Sequence, residues 1–397
     1  MTPGNLLEKN ELVWIFGCVS NGLGIGRSEG GRVRIPAGLD WPSLHRFLKW
    51  HRLAPLFLEG LGTHGTGLAN LPWAADLRAM VAKGVRRNLW LSSALVLVCK
   101  SFQDARIPFL VLKGLPLALQ AYGDLGKRLG RDIDVLIPPS YYKAAADVLE
   151  RLGYLQAERP FPYATDLRFQ YASGEVWCQE DVLLDLHWQF TDQGMPFDLD
   201  PGTAIGNADH VMIGDCKIPV LSAGHRFLYL VHHAAKHQWM RIFWLADLAA
   251  MIGRGDVPVG PSFRSLAASL GLRRPLAMSC FLLEELFHAN IPEAMWPDSV
   301  RRDQLSSLRK AWRDFALKDL AYTHQSLLQL SNSRVLAWSL ALTEGPFRKM
   351  AVAFHLGFRP SMTDIHSLAL PQKLRFLYWI WRPLRLTLKT LKVKLAR

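Results

Sequence analysis

The stretch Arg128-Leu129-Gly130-Arg131-Asp132-Ile133-Asp134-Val135-Leu136-Ile137 decides how this chain folds. Asp132 and Asp134 are two residues apart in an apolar run, so on an extended strand both side chains leave the same face. Carboxylates this close, flanked by Ile133 and by Val135 to Ile137, repel each other and lose hydration. A solvated edge or turn would carry more polar residues. The repulsion calls for a cation, and hard oxygen ligands of this kind suit Mg²⁺ (or Mn²⁺) carrying nucleotide phosphates. A second acidic strand, Val182-Leu183-Leu184-Asp185-Leu186-His187-Trp188, sets Asp185 in similar surroundings. Together the three aspartates describe a site for metal-dependent phosphoryl or nucleotidyl transfer.

Working outward, Pro108 to Lys113 reads as a strand ending at Gly114, followed by a short helix from Leu115 to Tyr122. After the strand Asp132 to Ile137 comes a helix from Ser140 to Leu152, with Ser140 as N-cap and Gly153 as C-cap. Arg168 to Tyr171, Glu175 to Cys178 and Val182 to Trp188 read as antiparallel strands turning at Ser173-Gly174. Upstream, Trp41-Pro42-Ser43 opens a helical segment with Leu44, Phe47, Leu48, Leu53, Leu56 and Phe57 near helical spacing. Gly22-x-Gly24-x-Gly26 reads as a flexible turn, because no βαβ unit follows to make it a phosphate loop. Leu89 to Phe102 reads as a buried helix. Beyond Pro219 the chain turns helical over His225 to Gly253, Ser262 to His288, Val300 to Leu317 and Ala321 to Thr343. The fold class is α+β: a small mixed β-sheet core flanked by N- and C-terminal helical regions. The divisions are 1–90 (helical), 91–220 (α/β core), 221–371 (helical) and 372–397 (basic amphipathic tail).

A chain of 397 residues, half of them hydrophobic, has ample material for packed cores, and global disorder is excluded. The formal net charge of +13 favours anionic partners without choosing among them. Five scattered cysteines with no CxxC spacing offer neither a zinc site nor a disulfide framework. With no signal-peptide order at the N-terminus and no apolar run of spanning length, the expected location is the cytoplasm, with room for peripheral contact at the inner membrane.

Taken together, the pieces from Leu110 to Met251 resemble the uncharacterised nucleotidyltransferase family of the DNA-polymerase-β-like superfamily. They are Leu112-Lys113-Gly114, Tyr122-Gly123-Asp124 with Arg128, Asp132 to Leu136, Leu149 to Tyr154, Leu184 to Trp188, and the run His232 to Asp247. The resemblance implies that Asp132, Asp134 and Asp185 hold one or two Mg²⁺ ions, with Asp185 also helping to deprotonate the acceptor. Lys113 and Gly114 would meet the triphosphate where the superfamily has Gly-Ser, and Arg128 would reach a phosphate. The implied partners are a nucleoside triphosphate and an acceptor that the sequence does not name. Two rival readings are a fold-retaining scaffold without turnover and a kinase-like transfer of the γ-phosphoryl group.

The histidines and the tail stay open at this level. His187 shares a strand face with Asp185 and suits a supporting or packing role as readily as a catalytic or substrate-binding one. His233 and His237 share a helix face, but no Glu completes a zinc motif; the resemblance turns them, with Arg241, toward substrate. The plainer reading is a polar helix face with Arg241 paired to an acid such as Asp247. Residues 372–397 hold eight Lys and Arg and no acid, interleaved with Trp379, Trp381 and leucines. They suit a helix packed on the body, contact with anionic lipid or, least favoured, nucleic acid.

Overall fold

Strands that are apolar on both faces need cover on both sides, and alternation from Phe109 to Leu112 and from Ile133 to Leu136 meets two separate cores. In the computed structural model, which describes residues 9–25, 35–36, 38–62, 72–157, 165–191, 197–298, 300, 302–313, 332–368 and 370–395, Phe109 and Val111 enter one core while Leu110 and Leu112 enter the other. The strands are β1 (Leu110–Val111), β2 (Asp132–Leu136), β3 (Leu155–Gln156), β4 (Gly174–Gln179), β5 (Val182–His187), β6 (Asp209–Ile213) and β7 (Cys216–Val220). They form one mixed sheet in the order β3-β4-β5-β2-β1-β7-β6. The pairs β2–β5 and β1–β7 are parallel.

Thirteen helices up to residue 312 carry labels here. They are α1 (Lys9–Gly22), α2 (Trp41–His51), α3 (Ala54–Gly62), α4 (Pro72–Asp104), α5 (Leu115–Leu117, running into a π-turn Ala118–Tyr122), α6 (Tyr142–Arg151), α7 (Thr165–Tyr171) and α8 (Pro201–Gly206). Then follow α9 (Ala223–Lys236), α10 (Ile242–Gly253), α11 (Pro261–Ser269), α12 (Arg273–Phe287) and α13 (Ser306–Trp312). Side chains of α4 and α6 cover one face, where Ile133, Val135, Leu184, Leu186 and Trp177 are buried. Truncating a buried ring such as Trp177 to Ala removes roughly 3–5 kcal/mol of stability. The opposite face meets a larger core in which α1 to α3 pack with α9, α10 and α12. N- and C-terminal helices thus share one interior, and α4 runs unbroken past residue 90.

Several expectations need correction. Arg168 to Tyr171 is helical: Leu167 and Tyr171, four apart, join Ile365 and Tyr378 in a small core, while Phe169 packs on Tyr142 and Trp188. The alternation of Leu167, Phe169 and Tyr171 mimicked a strand over too short a run. Ser140 does not cap α6, because Pro139 starts a 3-10 turn (Pro139–Tyr141) that runs straight into it. The segment from His225 to Gly253 is two helices. Gln238 and Trp239 take positive φ between them, because Trp239 is drawn into the core with its indole N–H on Ser279 Oγ at 3.0 Å. Ser262 to His288 is likewise two helices, α11 and α12. Leu89 and Leu97 on α4 are half exposed, so that helix is buried along one side only. Strands β3, β6 and β7 were not anticipated, and the strand expected over Pro108 to Lys113 has only two residues in the ladder. Gly24 does lie in a turn, whereas Gly26 falls outside the described residues. So do parts of the helices expected over Val300 to Leu317 and Ala321 to Thr343; α13 and a helix Asn332–Leu342 are described there.

Among the described residues, no helix is long and apolar enough to cross a membrane. The chain ends in helices Pro346–Gly357, Met362–Ser367 and Tyr378–Leu395. The last docks through charge: Arg382 and Arg385 both reach the fully buried carboxylate of Asp364, which also closes a capping box with Ser361. Removing one member of such a buried group strands the others. Asp364→Ala should therefore cost about 3 kcal/mol locally. It should also make trypsin cleave the segment around Tyr378 to Arg385 faster than in wild-type protein.

Candidate active site

Parallel pairing of β2 with β5 sets Asp134 directly beside Asp185 and Leu136 beside His187. The period of two sends Asp132, Asp134, Asp185 and His187 out of the same sheet face, away from the core that holds Ile133, Val135, Leu184 and Leu186. Among the described residues, donor atoms of Asp134, Asp185 and His187 all lie within 4.8 Å of one another, a spacing that fits one cation. Asp132 stands at the mouth, its side chain 37% exposed against 3% for Asp134. The His187 ring lies against β4, where Gly174 opposes it; a Cβ there would fall 2.9 Å from His187 Nδ1. Only glycine leaves room for that ring.

Lys113, at the end of β1, closes the cluster. Its ammonium donates to Asp134 and lies 3.8 Å from Asp132 Oδ1. Burial alone would lower the lysine, but Asp134 and Asp132 outweigh it and hold it charged. Burial likewise disfavours the Asp134 carboxylate, yet Lys113 and His187 pull its pKa below the ordinary carboxylate range. Asp185 has no such donor. Burial, then the neighbouring charge of Asp134, push it up to about 6. Both ring nitrogens of His187 are buried without a hydrogen-bond partner, Nε2 lying 3.5 Å from Asp134 Oδ1. The turn after Lys113 needs φ of +79° at Gly114, a conformation that favours glycine.

Arg128 is committed within the protein. Its Nε donates to both oxygens of Asp247 on α10 at 2.9 and 3.0 Å, and Nη1 reaches the Gly114 carbonyl at 3.3 Å. Tyr122 adds a third hydrogen bond to Asp247 at 2.8 Å. The expected partner of Asp247, Arg241, lies elsewhere. It stacks 3.8 Å from the Trp50 ring centroid and donates to the Trp50 carbonyl at 2.8 Å. Nearby, the buried ring of His51 accepts the Ile242 N–H at 3.2 Å, joining the end of α2 to the start of α10. Arg52 follows with φ of +52°, its guanidinium on the Leu129 carbonyl and 4.9 Å from the Phe243 ring centroid.

Sequence reading had missed Arg52 and Arg131. Arg131 adjoins Asp132 and stands within electrostatic reach of Arg52 and Arg241. Burial and Arg241 lower Arg52 to about 9; burial and Arg131 lower Arg241 to about 10. Among the described residues, none of these three cations has a carboxylate within ion-pair distance. Arg131 was visible beside the aspartates, whereas nothing local marked Arg52.

The opposite wall comes from α9 and α10. Tyr229, also missed, is buried against Phe190 and Phe197. Its hydroxyl is kept neutral by burial, opposed by Lys113 and reinforced by all three aspartates. His233 and His237 lie 4.9 Å apart, and both pack on Trp244 at 5.2 Å. Burial, then His237 and Lys113, hold His233 well below the usual imidazole range, so it is neutral at pH 7.

A family model described as uncharacterised nucleotidyltransferase matches residues 37–288, which include every residue of this cluster. The chain belongs to that family. It is an enzyme, and nucleotidyl transfer is its reaction class. No curated relative matches this nucleotidyltransferase. Among solved structures, a similar one is the solution structure of antibiotic-resistance factor ANT(2'')-Ia. It shares 14% identity, covering 57% of this chain and 99% of that one, with a TM-score of 0.30. The crystal structure of ANT(2'')-Ia with adenylyl-2''-tobramycin shares 16% identity over 50% and 97%, with a TM-score of 0.27. Overlaps this loose carry no argument about this nucleotidyltransferase.

The carboxylate crowding has a measurable sign. The folded-state pKa of Asp185 lies above its ordinary value, so its protonated form favours the folded state at low pH. That contribution is lost as pH rises through about 6. In EDTA, Asp185→Asn should raise Tm at pH 7 and flatten the fall in stability between pH 4 and 7, as followed by thermal denaturation across pH.

Proposed function

We propose that this enzyme transfers a nucleoside monophosphate from a nucleoside triphosphate to an acceptor hydroxyl or phosphate, using Mg²⁺ or Mn²⁺. The register that sets Asp134 beside Asp185 carries the reading, since it gathers carboxylates and His187 on one strand face. The donor set fits a hard divalent cation: carboxylate oxygens dominate, the His187 imidazole stands 3.5 Å from Asp134, and Asp185 is raised by burial and then by the charge of Asp134, both of which a cation offsets. Asp132, Asp134 and Asp185 would hold the metal, with His187 alongside. When bound, the metal would supply positive charge that offsets the negative charge developing on the attacking and leaving oxygens.

The protein's own groups do the rest. Lys113 keeps Asp134 ionised and aimed. Gly114 lets the β1–α5 turn approach the phosphates closely, and Arg128 fixes that turn through its carbonyl. The triphosphate oxygens are bound by Arg52, Arg131 and Arg241, whose planar donor forks match phosphate. Asp185, on the strand beside Asp134, accepts the proton of an attacking hydroxyl. The acceptor oxygen then bonds to the α-phosphorus, the bond to the β-phosphate oxygen breaks, and pyrophosphate leaves. Tyr229, His233, His237 and Trp244 form an aromatic wall against which nucleoside or acceptor packs. Free thiols at Cys18, Cys99, Cys178, Cys216 and Cys280 accord with a reducing cytoplasm, where nucleoside triphosphates are supplied.

Asp132→Asn with Asp134→Asn should lower pyrophosphate release by more than about 100-fold, the scale of losing a transition-state stabiliser. Release of a nucleoside diphosphate instead would point to γ-phosphoryl transfer, and no metal-dependent nucleotide affinity in calorimetry would leave only a scaffold. Arg131→Ala, at an exposed position, should raise KM for the triphosphate about tenfold with little change in kcat, as expected for one charge-assisted hydrogen bond made equally in ground and transition states.

A further inference from the structure

The C-terminal helices are amphipathic the wrong way round for a helix packed on a protein. Tyr378–Leu395 docks with its arginines, Arg382 and Arg385, on buried Asp364. Its apolar residues Ile380, Leu384 and Leu388 stand 63%, 50% and 44% exposed, at intervals of four that place them on one stripe. Phe376, in the turn before it, extends that stripe. Helix Pro346–Gly357 does the same. Phe347, Met350 and Phe354 fall at helical spacing, with Phe358 just beyond, and all are exposed. The two stripes meet where Phe354 packs on Trp379 at 5.7 Å and stacks on Phe358 at 5.6 Å. One continuous apolar face results, spread over two helices.

The charge carried by this segment is nearly all of one sign, although Arg348 pairs with Asp198 from outside it at 3.0 Å. From residue 346 to 397 the sequence holds eleven Lys and Arg and one acid, Asp364. That acid is fully buried and paired with Arg382 and Arg385, so it offers nothing to a partner. Exposed Lys373 and Lys389 flank the stripe. An apolar, aromatic-rich stripe with cationic flanks is the composition that inserts shallowly into the headgroup boundary of an anionic bilayer. Single-stranded nucleic acid would need rings open to bases. Here Phe354 packs on Phe358 and on Trp379, and beside the open rings of Phe347 and Phe376 the face is aliphatic, with Met350, Ile380, Leu384 and Leu388.

We infer that helices Pro346–Gly357 and Tyr378–Leu395 form a peripheral membrane-docking face that seats this enzyme on anionic lipid. The inference does not rest on the nucleotidyl-transfer reading, because it uses none of the residues of that site. Co-sedimentation of the full chain with vesicles of phosphatidylcholine, with and without phosphatidylglycerol, tests it. Binding should require the anionic lipid and weaken with salt. Substituting Phe347, Phe354, Phe376 and Ile380 together by Ser should reduce it at least ~10-fold, while Tm and pyrophosphate release in lipid-free solution stay at the wild-type level. Three results would overturn the inference: no anionic-lipid binding by wild type, undiminished binding by the variant, or a wild-type dimer in sedimentation velocity that the variant abolishes, which would make the face a contact between copies.

Discussion

A guanidinium and a carboxylate, both almost without access to water, hold the sheet to the helical body. Arg128 leaves the segment just before β2, and Asp247 lies on α10; between them run two charge-assisted hydrogen bonds. Either charge alone would be costly to bury, so the pair forms only when sheet and helices meet in one register. The Gly114 carbonyl and the Tyr122 hydroxyl join the same group, fixing the turn after β1. Lys113 is the residue just before that turn. Its reach to Asp134 is thereby set by an ion pair on the far side of the loop.

From this brace the site's electrostatics follow. Lys113 makes a buried Asp134 affordable, and Asp185, buried and beside that charge with no donor of its own, has its pKa raised. Near the negative charge of the sheet face stand Arg52, Arg131 and Arg241, which among the described residues have no carboxylate within ion-pair distance. Trp50 and His51 at the end of α2 grip Arg241 and the first turn of α10. The helix joint that carries Arg241 exists because Trp239 is pulled into the core, forcing two successive residues to positive φ. Core packing far from the carboxylates therefore decides where the Arg241 guanidinium stands.

The C-terminal helices obey a different logic. Asp364 recruits arginines that most surface helices would turn to solvent, and the apolar side is left outward as a consequence. The carboxylate cluster and the apolar face are built from separate residues, so each can be altered without touching the other.

Much of the centre was legible in the chain itself. Strand periodicity with acids two apart is a local property, and it put Asp132 and Asp134 on one face; the apolar surroundings of Asp185 marked a second buried acid. Helical spacing revealed most helices for the same reason, since each turn brings its own apolar residues into line. What local pattern cannot carry is pairing across the fold. Nothing near Arg128 says that its partner is Asp247 rather than a phosphate, because that choice belongs to a contact 119 residues away. Arg52 joined the site only once α2 met α10, and His225 to Gly253 broke in two only because the core claimed Trp239. The amphipathic tail showed its two faces in sequence, but which one turned inward depended on a single buried acid at position 364. The sequence alone determined which charges would be buried on strands. The tertiary structure decided which of them are neutralised, since in a low-dielectric interior that depends on the partners brought within reach.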